Sequence, residues 1–377
     1  MSATTDQLFL PSGLNDHAYG IHSNFTEYIK TTTNMISQAR CDLTSDNYDT
    51  VITANSPFEW FPEQPLQSNG KYSRGILLIH GLFVSPFHTM DLGRYFLQQG
   101  FFVRSILLPG HGTRPGDLLN VKYNAWEHVT QFAIEQMFNI ANEVYLCGIS
   151  LGGALALQQA IQHPHIKALI LFAPALKPYY WWANFAKWHV WAGRFHPRLN
   201  WFNKLPTTSY TRYDSWPLNG VAQALKLMTK IYRQLQTHSF KQPLFITATS
   251  DDEIVSTKEI INFFYHQTHP ASRMQLFTNE TLKVTDSRIN PCKSACLGQN
   301  ILDLSHQCLS ISPDNPHLGI AGDYKDFLHY RKKPDLTREK IYQGAITPRN
   351  LRHHIVQRIT YNHCFQHTLD SITDFIK

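Results

Sequence analysis

The sequence of 377 residues lacks any apolar run that approaches the roughly 20 residues needed to span a bilayer. Residues 1–20 also lack the basic start and following apolar stretch that are typical of a secretory signal. These two absences predict a protein without a transmembrane segment, and we expect it in the cytoplasm.

The scattered basic residues and the spacing of the few cysteines disfavour nucleic-acid binding and a cysteine metal site. The net charge is +6, but lysine and arginine are scattered and form no basic stripe with interleaved aromatic residues, which disfavours nucleic-acid binding. The six cysteines do not repeat at the spacing of a metal site, although Cys292 and Cys296 are four residues apart. We expect free thiols, with a loop disulfide or a metal site as the alternative, and no cofactor.

From residue 72 onward, short apolar runs alternate with stretches of helical periodicity. The runs are RGILLIHG, FVRSILLPG, EVYLCGIS and KALILFAPA. Continuous apolar strands that alternate with helices are typical of a parallel sheet covered on both faces. The pattern therefore predicts an α/β fold.

The same pattern suggests how the chain is organised. Residues 1–70 are polar and predict an N-terminal extension with one helix near 23–40. The alternation defines a main domain at 71–330, interrupted by an aromatic-rich insertion at about 176–236. Residues 331–377 are expected to form a helical extension that packs on the core.

One short stretch, LCGISLGGALAL at residues 146–157, carries the chemistry. Ser150 stands between Gly148 and Gly152, after a predicted strand and before a predicted helix. A sharp turn there lifts a nucleophile clear of the sheet, and glycine relieves the crowding on either side. The alternative is a glycine-rich turn that only packs the helix against the strand.

These motifs together resemble a known family. HGL at the first loop, LLPGHGTRPGDL after the next strand and GISLGG around Ser150 are similar to the α/β-hydrolase superfamily. More narrowly, they resemble its monoacylglycerol-lipase and bacterial carboxylesterase branch, also called serine aminopeptidase S33 or Hydrolase 4, over roughly residues 73–330. The resemblance implies a mostly parallel central sheet flanked by helices, a helical cap insertion and a serine hydrolase that cleaves carboxylic esters without a cofactor.

In this fold the catalytic residues follow the chain order Ser, acid, His. Three acids compete at the end of the strand LFITATSDDEIVS: Asp251, Asp252 and Glu253. The resemblance favours Asp252, which lies three residues before Val255. The other acids are expected to be solvated neighbours of a helix N-terminus.

The base must be a histidine in a loop beyond the following strand. We favour His306, in the segment ILDLSHQCLS, with His317 as the alternative in the same region. His111, in the PGHG motif, comes too early in the chain and is expected to shape a loop.

The resemblance also implies an oxyanion hole formed by two backbone amides, those of Leu82 and Leu151. The imidazole of His80 is expected only to hold the first loop. Within the predicted cap, Trp181, Trp182 and Trp188 are candidates for the lining of an acyl pocket, although such rings also serve simply to pack a cap onto its core.

Several functions share these residues. The favoured partner is a small-molecule or lipid-like ester. A thioesterase, an amidase or an acyltransferase would use the same triad, and a catalytically silent hydrolase fold would serve as a binding or effector module. The sequence leaves these alternatives open.

Overall fold

The computed structural model describes residues 7–15, 22–180, 196–205, 207–237, 241–281, 285–331 and 334–377. The chain divides into two compact units, which are described separately. The first comprises Met1–Lys167 and Trp181–Ser239, and the second comprises Ala168–Tyr180 and Phe240–Lys377.

The first unit is built on four sheet strands: β1 (Phe58–Trp60), β2 (Tyr72–Ile79), β3 (Phe102–Ile106) and β4 (Ala141–Ile149). Their order is β1-β3-β2-β4. Strand β2 pairs in parallel with both β3 and β4, whereas β1 runs antiparallel along β3. The apolar runs of β2, β3 and β4 are buried, as expected for strands covered on both faces.

Among the described residues, the α-helices of this unit are α1 (Phe25–Ala39), α2 (Tyr48–Asn55), α3 (Met90–Gln98), α4 (Tyr123–Ile140), α5 (Leu151–Gln162) and α6 (Leu218–Thr237). Helix α1 confirms the helix expected near residues 23–40. Its N-cap is Asn24, whose side chain accepts the amide hydrogen of Glu27, and the Glu27 carboxylate accepts the amide hydrogen of the preceding Ser23. Helix α5 is almost entirely buried because its first ten residues are small or apolar apart from two glutamines.

The second unit contains four parallel strands: β5 (Ala168–Phe172), β8 (Leu244–Thr249), β9 (Arg273–Thr278) and β10 (Ile289–Lys293). Their order is β5-β8-β9-β10. Strand β10 contains Pro291 and was not anticipated from the sequence. Proline lacks an amide hydrogen and is tolerated in an edge strand. In the described part of the unit, β10 is such a strand, since it pairs only with β9.

The C-terminal residues contain more strand than the helical extension that we predicted. Strands β11 (Leu328–His329), β12 (Ile341–Gly344) and β13 (Ile355–Arg358) form a small sheet in the order β11-β13-β12. The helices α8 (Pro348–His353) and α9 (Phe365–Ile376) complete the segment, and α9 packs on β8 and β9. The β-branched residues Ile355 and Val356 favour the strand β13 and are buried in it.

The described part of the predicted cap belongs to the first unit from residue 196 onward. It forms a short ribbon of β6 (Trp201–Asn203) and β7 (Trp216–Pro217), followed by α6. Residues 181–195 lie outside the described residues, so the cap stays a prediction. Helix α7 (Thr257–Tyr265) follows β8 in the second unit, and the Ser256 side chain accepts a hydrogen bond at its N-terminus.

Candidate active site

Ser150 lies at the junction of β4 and α5, with φ of 53° and ψ of −112°. A positive φ is costly for a residue with a side chain, and such strained turns concentrate at functional sites. A Cβ on Gly148 would lie 2.4 Å from the carbonyl oxygen of Gly152, and one on Gly152 would lie 2.1 Å from that of Ile79. The strand, turn and helix expected around Ser150 are present, and only glycine fits on either side of it.

The loop after β2 lies against this turn. A Cβ built on Gly81 would lie 3.4 Å from the Cβ of Ser150. Leu82 follows Gly81, while Leu151 is the first residue of α5, where amide hydrogens have no partner within the helix. Both amides that we predicted as oxyanion donors therefore belong to segments adjacent to Ser150, and their role as donors stays a prediction.

The loop after β2 is fixed by the base of the aromatic-rich insertion. Phe83 has a positive φ of 65°. Its carbonyl oxygen accepts the amide hydrogen of Tyr213 at 2.7 Å. Its ring stacks on Trp216 with a centroid separation of 5.4 Å. These contacts hold a conformation that phenylalanine would not adopt by itself.

His80 and His111 are structural, as predicted. The amide of Leu108 donates to Nε2 of His80 at 2.9 Å, so Nδ1 carries the hydrogen and donates to the carbonyl of Gly81 at 2.8 Å. Burial, followed by the neighbouring His111, lowers the pKa of His80 well below its usual value. Burial lowers the pKa of His111 to about 4, and its Nδ1 lies 3.0 Å from the Leu108 carbonyl oxygen.

In the second unit, Asp252 follows β8 and contacts His306. Its Oδ2 lies 2.6 Å from Nδ1 of His306. Its Oδ1 accepts the amide hydrogens of Ile254 and Val255, each at 2.8 Å. The carboxylate is thus held from both sides, and it can orient an imidazole with Nδ1 protonated and Nε2 available for proton transfer.

His306 is buried and held through its backbone as well as its ring. Its amide donates to Oε2 of Glu253 at 3.3 Å, and the hydroxyl of the preceding Ser305 donates to the carbonyl of Ile359 at 2.8 Å. Burial works to lower the pKa of His306, but the charge of Asp252, with a smaller contribution from Glu253, outweighs it and raises the pKa. The site therefore favours the imidazolium that a general base forms.

The alternative base, His317, has a different partner. Its Nδ1 lies 2.5 Å from Oδ1 of Asp323, whose side chain is 72% exposed. His306 therefore contacts Asp252, the acid predicted for it, whereas His317 contacts the carboxylate of Asp323.

The expectation that Asp251 and Glu253 are solvated was wrong. They are only 7% and 6% exposed. Asp251 pairs with Arg349, and Oε1 of Glu253 lies 3.1 Å from Nε of Arg358. Both arginines lie in the C-terminal segment, far along the chain from the two acids, so a local sequence pattern does not reveal these pairs.

The tryptophans predicted to line an acyl pocket, Trp181, Trp182 and Trp188, lie outside the described residues, so that pocket stays a prediction. Within the described ranges, no group of three or more His, Cys, Asp or Glu side chains is arranged to hold a metal ion. No helix in that part of the chain has the length and apolarity to cross a membrane. The six cysteines, all of them described, are free thiols.

Parallel strands that alternate with helices, and a serine at a glycine-flanked turn between a strand and a helix, define an α/β-hydrolase. The chain belongs to the serine aminopeptidase S33 family, whose model matches residues 71–280, more than half of the chain. This confirms the resemblance found in the sequence.

The individual relatives share only low sequence identity with this chain. A thermostable monoacylglycerol lipase of Bacillus sp. (strain H-257) is 27% identical over 96 residues, which cover 26% of this chain and 38% of the lipase. Among solved structures, the monoacylglycerol lipase of Paleococcus ferrophilus matches 59% of this chain and 88% of its own, with 19% identity and a TM-score of 0.47. A soluble variant of the Saccharomyces cerevisiae monoglyceride lipase, in complex with a substrate analog, matches 59% and 82%, with 15% identity and a TM-score of 0.45.

Proposed function

We propose that this protein is a serine hydrolase that cleaves carboxylic esters, with Ser150 as the nucleophile. The observation that carries the proposal is the strained turn at Ser150, which has a positive φ and glycines that nothing larger can replace. Family membership and the ordered pair of Asp252 and His306 support it.

In the first step, Nε2 of His306 takes the proton of the Ser150 hydroxyl while the serine oxygen attacks the ester carbonyl carbon. Asp252 keeps Nδ1 of His306 protonated and stabilises the imidazolium, without itself taking the proton. The raised pKa of His306 favours this transfer.

The attack places a negative charge on the former carbonyl oxygen. We assign the amides of Leu82 and Leu151 as donors to that oxyanion, because both belong to segments beside Ser150. A single donor of this kind typically contributes about 3 kcal/mol to transition-state stabilisation.

The tetrahedral intermediate then collapses. The bond to the leaving alkoxide breaks, His306 returns its proton to that alkoxide, and an acyl-enzyme remains on Ser150. A water molecule then attacks the acyl carbon while Nε2 of His306 takes its proton. The bond between the acyl carbon and the Ser150 oxygen breaks, His306 returns the proton to that oxygen, and the carboxylic acid leaves.

We further propose an acyl or lipid-like ester as the substrate. A relative named as a monoacylglycerol lipase supports this class. The insertion at 176–236 also supports it, because that segment contains six of the eight tryptophans of the chain, and apolar bulk is required around an acyl pocket.

The test is a panel of p-nitrophenyl esters and monoacylglycerols of graded acyl length, with the matching thioesters and anilides. We expect saturable ester hydrolysis that exceeds hydrolysis of the thioesters and anilides, and covalent labelling of Ser150 by a fluorophosphonate. A folded protein that neither turns over any ester nor reacts with the probe would instead be a silent hydrolase fold.

A further inference from the structure

The acid that follows Asp252 is in contact with both the histidine segment and the C-terminal segment. Glu253 is buried, its Oε2 accepts the amide hydrogen of His306 at 3.3 Å, and its Oε1 lies 3.1 Å from Nε of Arg358. A buried carboxylate is costly unless it is paired, so these contacts decide whether Glu253 carries a charge at this position.

Arg358 is well placed to supply the counter-charge. It is the last residue of β13, which pairs with strands on both sides, and its side chain is only 12% exposed. Its Nη1 also lies 3.6 Å from Oδ2 of Asp326, a second buried carboxylate. Arginine keeps its charge even when it is buried, so Arg358 is a permanent cation between two acids.

We propose that Glu253 and Arg358 are positioning residues for His306: Glu253 fixes the His306 backbone and places negative charge beside the imidazolium, and Arg358 keeps Glu253 ionised. This inference rests on the proposed role of His306 as the base. Both His306 and Arg358 lie beyond residues 71–280, so the positioning of His306 by Arg358 involves only residues outside the family match.

The charges around His306 make the inference measurable. Asp252 and Glu253, in the loop after β8, and Arg358, in β13, are the charged groups that affect the imidazole of His306. Asp326 contacts Arg358. The two acids raise the pKa of His306, with Asp252 the stronger, whereas burial and Arg358 lower it. Removal of the charge of Glu253 should therefore lower the pKa of His306.

The experiment measures the pKa of His306 by NMR titration of its imidazole in the full chain, with His306→Gln used to assign the signal. Glu253→Gln, which keeps the shape of the side chain, should lower that pKa and move the acidic limb of the kcat/KM profile to lower pH. It should also reduce kcat with little change in KM. In Arg358→Gln, Glu253 loses its counter-ion and takes up a proton, so the pKa of His306 should fall as well. Arg358→Lys should restore it.

The matched control is Arg349→Gln, which removes the arginine that pairs with Asp251 in the same loop. It should leave the pKa of His306 unchanged. The double variant Glu253→Gln with Arg358→Gln removes both charges of this ion pair, so that neither Glu253 nor Arg358 is left without the other as in a single variant. Its His306 pKa should still fall, because Glu253 acts on His306 more strongly than Arg358 does.

An unchanged pKa in Glu253→Gln would overturn the role of Glu253, and a raised pKa in Arg358→Gln would show that Glu253 stays ionised without Arg358. The NMR titration reports on His306 whether or not the protein hydrolyses esters. Failure of the proposed function would appear separately, as wild-type protein that titrates normally but has no esterase activity.

Discussion

The Nδ1 atom of His306 lies 2.6 Å from one carboxylate oxygen of Asp252, while the other oxygen accepts two backbone amide hydrogens. These two backbone amides can only donate hydrogen bonds, so the side-chain atom that faces them at position 252 must be an acceptor. In Asp252→Asn the amide oxygen would stay with the backbone, and the NH₂ group would face Nδ1 of His306.

Asp252→Asn is therefore expected to enforce the wrong tautomer of His306. With the hydrogen moved to Nε2, the imidazole cannot accept the proton of Ser150, and kcat/KM for an ester should fall by about 10³–10⁴-fold. The measurement is p-nitrophenyl ester hydrolysis, with Asp251→Asn as the control that should retain most of the activity. Equal losses in the two variants would contradict the assignment.

Ser150→Ala should abolish ester hydrolysis, with a loss of about 10⁴-fold or more in kcat, because the hydroxyl is the nucleophile. The circular dichroism spectrum should not change, since alanine adds no bulk to the turn between β4 and α5. Turnover near the wild-type level would remove Ser150 from the mechanism.

His306→Ala should be as damaging as Ser150→Ala, since members of a catalytic triad act as a unit. His317→Ala is the matched control and should be mild, because Nδ1 of His317 pairs with the exposed Asp323. Assay of both variants with one ester decides between the two histidines, and an inactive His317→Ala protein would reverse our choice.

The glycines beside Ser150 should be intolerant of even one methyl group. Alanine at Gly152 would place its Cβ 2.1 Å from the carbonyl oxygen of Ile79, so either the helix or the strand must move. We expect a loss of about 3 kcal/mol or more in the free energy of unfolding, measured by urea denaturation. Gly298→Ala is the control, because its Cβ would meet nothing within 4 Å. Similar losses at the two positions would show that packing is not the cause.

Asp251 should make stability depend on pH. Burial, followed by repulsion from Asp303, raises the pKa of Asp251 to about 6 in the folded protein, despite the opposing effect of Arg349. The folded state then binds more protons than the unfolded chain, whose aspartates titrate near pH ~4. The stability contributed by the protonated form is present below pH ~4 and is lost as the pH rises to about 6.

Between those two pH values, the free energy of unfolding should fall by on the order of 3 kcal/mol. Asp251→Asn should reduce the difference between the free energies of unfolding at low and neutral pH, and urea denaturation at several pH values measures it. A pH dependence identical to that of the wild-type protein would place the titration elsewhere.

The parallel strands and the turn at Ser150 were predictable because their signals are local. The last part of β4, residues 144–149, is a continuous apolar run, and Gly148 and Gly152 mark the turn within five residues. The pairing of Asp252 with His306 was predictable only from the chain order of a known family, since 54 residues separate the two side chains.

The environment of the two acids beside Asp252 was not predictable. In the sequence, Asp251 and Glu253 look like ordinary polar residues before a helix. The arginines that pair with them are far along the chain, and Arg349 is 98 residues away from Asp251. Strands β11 to β13 were missed for a related reason: each has only two to four residues, too few to show a period.

Strand β1 lies outside the family match but pairs with a strand inside it. It lies before residue 71 and covers β3 along Phe58–Trp60, so a protein trimmed to the family match would expose the backbone hydrogen-bonding groups of β3. An uncovered edge next to buried apolar residues such as Phe102 and Val103 is a template for pairing with another molecule. Such a fragment would tend to aggregate. The short strand β1, which precedes the family match, therefore protects β3 from pairing with another molecule.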